Sequence, residues 1–95
     1  MANSENYPLD LYYKTLSQYP EVMLLKLSNR AHTCTTLINS SDNEIKKYVD
    51  ECETYIYPLC EYGIKHYPEY SNSIQIMYYQ IRSLCNIARS LRLHD

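Results

Sequence analysis

The side chains best placed for chemistry are three arginines near the carboxyl end. Arg82, Arg89 and Arg92 fall on one side of a single helical stretch, the first two separated by two turns. Guanidinium groups arranged this way can hold a phosphate or an acidic partner. Lys26 and Arg30, four residues apart on another helical stretch, extend the patch if the two stretches face alike. The same cations also complement the carboxyl end of a helix, which is their plainer role. Neither His32 nor His66 has a metal-ligand partner four residues on. Cys34, Cys52, Cys60 and Cys85 are dispersed, without a C-x-x-C, and each falls on an apolar stripe. They are expected to be reduced core residues. No catalytic, metal or cofactor motif is evident, so the chain is expected to be non-enzymatic and cofactor-free. Asp42, Glu44, Asp50, Glu51, Glu53 and Glu61 crowd one stretch and are expected to form a solvated face.

Tyrosine is the second candidate surface. The chain has twelve tyrosines and no phenylalanine or tryptophan, so every aromatic ring carries a hydroxyl that must reach water or an acceptor. Tyr48, Tyr55 and Tyr62 repeat every seven residues and share a helix face. The neighbours Tyr12 and Tyr13, like Tyr78 and Tyr79, differ by about 100° in direction, so one ring of each pair should be exposed or covered by a partner. Exposed tyrosine is a strong interface residue.

The elements that position these residues are marked by proline. All four prolines follow a tyrosine, in Tyr7-Pro8, Tyr19-Pro20, Tyr57-Pro58 and Tyr67-Pro68. A residue before proline is pushed out of the helical region and proline suits a helix's first turn, so each pair predicts a helix start. With one glycine, Gly63, hairpin turn chemistry is nearly absent. The fold class is therefore all-α. Leu24, Leu27, Ala31, Cys34 and Ile38 mark a helix from Pro20 to about Asn39. Ser41-Asp42-Asn43-Glu44 reads as a capping box starting the next helix. Its stripe, Ile45, Val49, Cys52, Ile56, Leu59 and Gly63, continues through Pro58, where a kink or break is expected. A last helix after Pro68 carries Ile74, Met77, Ile81, Leu84, Ala88 and Leu91. The reading is a small antiparallel bundle of three long helices plus a short amino-terminal one, with residues 7–95 as one domain and 1–6 as a flexible lead. Leu27, Cys34, Val49, Cys52, Ile56, Ile81, Leu84 and Ala88 are the expected core. The two halves echo each other through their Tyr-Pro pairs, with little else aligning.

At 95 residues one core is expected, and a formal charge of -2 disfavours bulk nucleic-acid binding. No apolar run approaches the roughly 18 residues of a membrane span. The amino terminus lacks a signal-peptide pattern, so a cytoplasmic location is expected.

Arg89-Ser-Leu-Arg-Leu-His94 has the R-x4-H form and resembles the catalytic motif of helical ribonucleases of the HEPN family. That resemblance implies Arg89 on phosphate charge and His94 as acid or base, and it covers six residues. In architecture, the expected bundle resembles bacterial immunity proteins and phage-encoded antagonists of host systems. The expected function is thus an inhibitor, immunity factor or adaptor that meets a protein partner, or a second copy of itself, through Tyr12, Tyr13, Tyr48, Tyr55, Tyr62, Tyr78 and Tyr79. The alternative is a bundle that sequesters a nucleotide or other small anion with Arg82, Arg89 and Arg92.

Overall fold

A computed structural model of the chain describes residues 9–92, and every element among them is helical. The elements are α1 (Leu9–Leu16), α2 (Pro20–Cys34), a 3-10 turn (Leu37–Asn39), α3 (Asp42–Glu51), a π turn (Cys52–Ile56), α4 (Tyr57–His66), a second 3-10 turn (Pro68–Tyr70) and α5 (Ser71–Arg92). The expected lead over residues 1–6 and the Tyr7-Pro8 signal lie outside the described residues.

Two Tyr-Pro signals act as local sterics require. Tyr19 (φ -126°, ψ 87°) and Tyr67 (φ -126°, ψ 75°) are both held out of the helical region by the following ring, and helical geometry begins at the proline. Ser41 caps α3 with the full reciprocal box: its hydroxyl accepts from the Glu44 N–H and the Glu44 carboxylate accepts from the Ser41 N–H.

Pro58 behaves differently, because the helix does not break there. An α-helical Pro58 would withhold its N–H from the Thr54 carbonyl and drive its ring into that turn. The chain instead widens just upstream, and the Tyr57 N–H reaches back five residues to the Cys52 carbonyl. Ile56 and Tyr57 keep helical angles, so α3, the π turn and α4 form one continuous rod. A π turn adds room where a side chain or proline disturbs the ladder.

α2 stops at Cys34, short of the expected Asn39. Three threonine hydroxyls compete with the helix ladder there: Thr33 donates to the Asn29 carbonyl, Thr35 to His32 and Thr36 to Thr33. The 3-10 turn that follows still buries Leu37.

The rod runs antiparallel to both α2 and α5. At one end, Gly63 of α4 lies against Met23 of α2 and Ile74 of α5. At the other, the Arg92 guanidinium donates to the Ile38 carbonyl and to Asp42. α2, the rod and α5 therefore make an up–down–up bundle, while α1 packs beside α2 and turns Tyr13 and Leu16 inward. The core collects Leu27, Cys34, Val49, Cys52, Ile56, Ile81 and Ala88 as expected, but Leu84 is only half-buried. Cys85 faces the centre, as expected of each cysteine, while Leu91, expected on the same stripe, is left exposed. Cysteine's small volume suits the middle of the bundle, where three helices converge.

Gly63 is required by close approach. A methyl group there would sit 2.8 Å from Ile74 Cδ1 and 2.9 Å from Met23 Sδ, both on fully buried side chains. Gly63→Val should lower stability by about 2 kcal/mol through overpacking. Chemical denaturation should register that loss, and a variant as stable as the parent would mean this three-helix contact is loose.

Candidate functional site

The tyrosines do not form one outward ladder. Tyr13 is buried, and its hydroxyl donates to Glu51 Oε2 at 2.5 Å. Arg30 Nη2 reaches the same carboxylate oxygen at 3.1 Å and the Tyr13 hydroxyl at 3.3 Å. The half-buried Tyr48 donates to the Arg30 carbonyl at 2.8 Å, meets Cys34 Sγ at 3.2 Å, and lies under the Arg30 guanidinium at 4.8 Å. Tyr55 stacks on Tyr13 at 4.9 Å, and the nearby Asp10 carboxylate raises the Tyr55 hydroxyl above its ordinary value. α1, α2 and α3 are thus joined by one polar knot around Arg30.

The remaining sequence-predicted tyrosines divide between inner and outer positions. Tyr12 packs edge-on against Tyr13 and is half-buried. Tyr78 donates to Glu61 at 2.8 Å. Tyr62 is exposed but stacked on His66 at 4.1 Å. Tyr79 stands furthest out, its ring parallel to that of Tyr78. Tyr67, which the sequence offered only as a helix signal, ties the second 3-10 turn to α1 by donating to the Ser17 carbonyl at 2.6 Å.

Each arginine of the expected anion cluster has an internal partner. Arg89 pairs with Glu53, Arg92 with Asp42, and Arg82 lies over the rings of Tyr57 and Tyr78 at 5.8 and 5.3 Å. The expected ribonuclease partner His94 lies outside the described residues. Among the described residues no group of three or more His, Cys, Asp or Glu is placed to hold a metal ion, and no helix is long and apolar enough to cross a membrane.

The four cysteines are free thiols. Cys85 of α5 neighbours Cys34 of α2 and Cys52 of the π turn, so three dispersed cysteines meet in the core. The neighbouring Cys34 favours the Cys85 thiolate, but neighbouring Cys52 and burial outweigh it and push that thiol up to about 11. Burial pushes Cys60 up to about 12. Groups held protonated in this way are poor nucleophiles.

Two surfaces bear most directly on binding. The outer side of α5 carries Ile76 (67% exposed), Tyr79 (62%), Ile87 (51%) and Leu91 (61%). Between them lie Gln80, Ser83 and Ser90, and the only charged residues of α5 are the three arginines engaged with other elements. Sequence reasoning missed this stripe. Its signal was the spacing of Ile76, Ile87 and Leu91, which lie within about 60° of one another around the helix. The second surface is a cleft of about 160 Å³ between α1 and α2, lined by Tyr12, Tyr13, Lys26, Asn29, Arg30, Thr33 and Ile56. No protein-family model, curated protein or solved structure matches this chain.

Removing one hydroxyl tests the polar knot. Tyr13→Phe should cost about 1 to 2 kcal/mol, since its partner is a charged carboxylate, whereas Tyr79→Phe should cost almost nothing. Denaturant melts that rank the two equally would show that the knot adds no stability.

The same hydroxyls set an alkaline limit. Burial, then the bond to Glu51, raises Tyr13 above its ordinary value; burial, then the bond to Cys34, raises Tyr48; burial raises Tyr57. A tyrosine raised on folding favours the native state below about pH 10, and that stabilisation is lost as pH climbs toward the folded-state value. Absorbance at 295 nm should show Tyr13, Tyr48 and Tyr57 ionising only together with loss of helix signal. Ionisation of all rings in one non-cooperative step would contradict this.

Proposed function

We propose that this chain is a small non-enzymatic helical binding protein that acts as an inhibitor, immunity factor or adaptor by laying the outer face of α5 into a groove of a protein partner. The observation that carries this reading is the uncharged stripe of Ile76, Tyr79, Ile87 and Leu91 on a 22-residue helix. Spacings of three and four residues, through Ser83, are those by which an amphipathic helix anchors in an apolar groove. Solvated helix faces normally carry interspersed charge, and an uncharged exposed stripe marks a contact surface. Of the tyrosine surface expected from sequence, Tyr79 is the ring best placed to act as an anchor. α5 is about 33 Å long, and the stripe from Ile76 to Leu91 covers about 23 Å of it; at about the 10 Å width of a helix it offers on the order of 250 Å², below the roughly 800 Å² per partner of a standard interface. The contact therefore extends onto flanking residues, or the complex is transient.

The alternative of an anion-sequestering bundle built on Arg82, Arg89 and Arg92 has less support, because a ligand would have to displace Glu53 and Asp42 from two of the three. The ribonuclease alternative has only Arg89 to stand on, and that side chain is committed to Glu53.

Capture from the native host, followed by mass determination of the intact complex, identifies the partner. Ile87→Glu should then abolish capture with the melting temperature unchanged, and Tyr79→Ala should cost about 1 to 3 kcal/mol of affinity. Lys47→Glu, on the exposed side of α3, serves as control. Undiminished binding by Ile87→Glu would remove α5 from the interface.

A further inference from the structure

We infer that the cleft between α1 and α2 is a binding site for a small organic phosphomonoester, held by Lys26, Asn29 and Arg30. This goes beyond the protein contact proposed for α5 and stands independently of it, since α2 turns these three residues toward α1 and its core face toward the rest of the bundle.

Charge comes first. Arg30 and Glu51 cancel, their groups 3.1 Å apart, and the shared Glu51 oxygen is already taken by both Tyr13 and Arg30. Lys26 lies one helical turn from Arg30, its ammonium 5.6 Å from the centre of the Tyr12 ring, and among the described residues it has no carboxylate partner. The cleft therefore holds one uncompensated cation beside a fixed guanidinium. A guanidinium carries five donors in a plane, and the Tyr13 and Glu51 bonds use only Nη2, leaving other donor edges. The Asn29 side-chain amide, between the two cations in sequence, makes no hydrogen bond among the described residues and offers two more N–H donors. Thr33 contributes wall rather than donor, because its hydroxyl hydrogen goes to the Asn29 carbonyl.

Preorganisation comes second. Arg30 is fixed from below by the Tyr48 ring and from the side by Glu51 and Tyr13, so binding an anion orders little beyond the Lys26 chain. Shape and polarity then select the ligand. Tyr12, Tyr13 and Ile56 give the cleft an aromatic and aliphatic wall opposite its cations, which suits an apolar body attached to the oxyanion. At about 160 Å³ the cleft is smaller than the roughly 300 Å³ at which pockets for drug-sized ligands begin. That volume suits a phosphate carrying one ring or a short carbon chain better than a whole nucleotide. The free donors of Lys26, Asn29 and the unused edges of Arg30 outnumber what the two oxygens of a carboxylate can accept, which favours the three terminal oxygens of a monoester.

The test uses inorganic phosphate and phenyl phosphate as probes, followed by amide chemical shifts. Phenyl phosphate should move the amides of Tyr12 and of residues 26–33 saturably, and bind about tenfold tighter than inorganic phosphate because its ring is buried. Lys26→Gln should weaken phenyl phosphate about five- to tenfold with the melting temperature unchanged, whereas Lys47→Gln should leave binding intact. Lys26 makes no bond on which folding depends, so the variant stays interpretable. Absence of saturable shifts at those amides up to about 20 mM, well above a millimolar dissociation constant, would overturn the proposal. So would unaltered binding by Lys26→Gln, and equal affinities for the two probes would overturn the assignment to an organic ester.

Discussion

The Arg30 guanidinium is the tie on which the arrangement of α1 depends. α1 has only eight residues, too few to hold its own helix in water, and it buries just Tyr13 and Leu16. Its anchorage therefore needs the hydroxyl bond from Tyr13 to Glu51 and the stack of Tyr13 on Tyr55. Arg30 makes that possible by neutralising Glu51 where its carboxylate meets the buried Tyr13 phenol. Burial opposes the Arg30 charge, but the neighbouring Tyr13 and Glu51 outweigh it and hold the guanidinium firmly protonated. Without that cation, Glu51 would sit half-buried with no countercharge, a costly arrangement.

Using tyrosine for every aromatic position imposes the same logic elsewhere. A phenylalanine can end anywhere in a core, whereas a buried phenol must end on an acceptor. Tyr48 ends on the Arg30 carbonyl, Tyr67 on the Ser17 carbonyl and Tyr78 on Glu61. Each of these bonds joins two different elements, so the hydroxyls act as long-range ties at the core margin. The side-chain network thereby fixes the relative placement of helices that apolar packing alone would allow to slide.

Local signals in the sequence were legible because their causes are local. The capping box and the Tyr-Pro starts at Pro20 and Pro68 depend on sterics within four residues, and the structure repeats them. Pro58 carries the same dipeptide, yet the helix runs through it. There the apolar stripe of Cys52, Ile56, Leu59 and Gly63 buries all four residues, and keeping that stripe on the core outweighs the loss of one backbone bond, with the π turn relieving the clash. α5 was legible as a helix but not in its rotation. It carries two apolar stripes: the cysteine signal placed Cys85 in the core, where it lies, whereas leucine spacing also drew in Leu84, which is half-buried, and Leu91, which is exposed. The candidate surfaces suffered most from this. The exposed stripe exists because Leu91 and its neighbours are not in the core, and Lys26 and Arg30 line a cleft only because α1 folds over them.

The division of cations follows from the same geometry. Arg82, Arg89 and Arg92 share one side of α5, but that side faces the rod, whose own acidic residues lie within reach. A run of arginines on an acidic neighbour becomes a set of ties between helices, and its sequence pattern is indistinguishable from that of an anion site. Lys26 differs because the element packed against it, α1, presents a tyrosine ring rather than a carboxylate. The ring attracts the ammonium without neutralising it, so positive charge persists at the cleft, as it does at Arg82, while Arg89 and Arg92 are neutralised along α5. Whether a basic residue is structural or available is thus decided by which helix lies opposite, and in this chain that depends on how α1 is tethered.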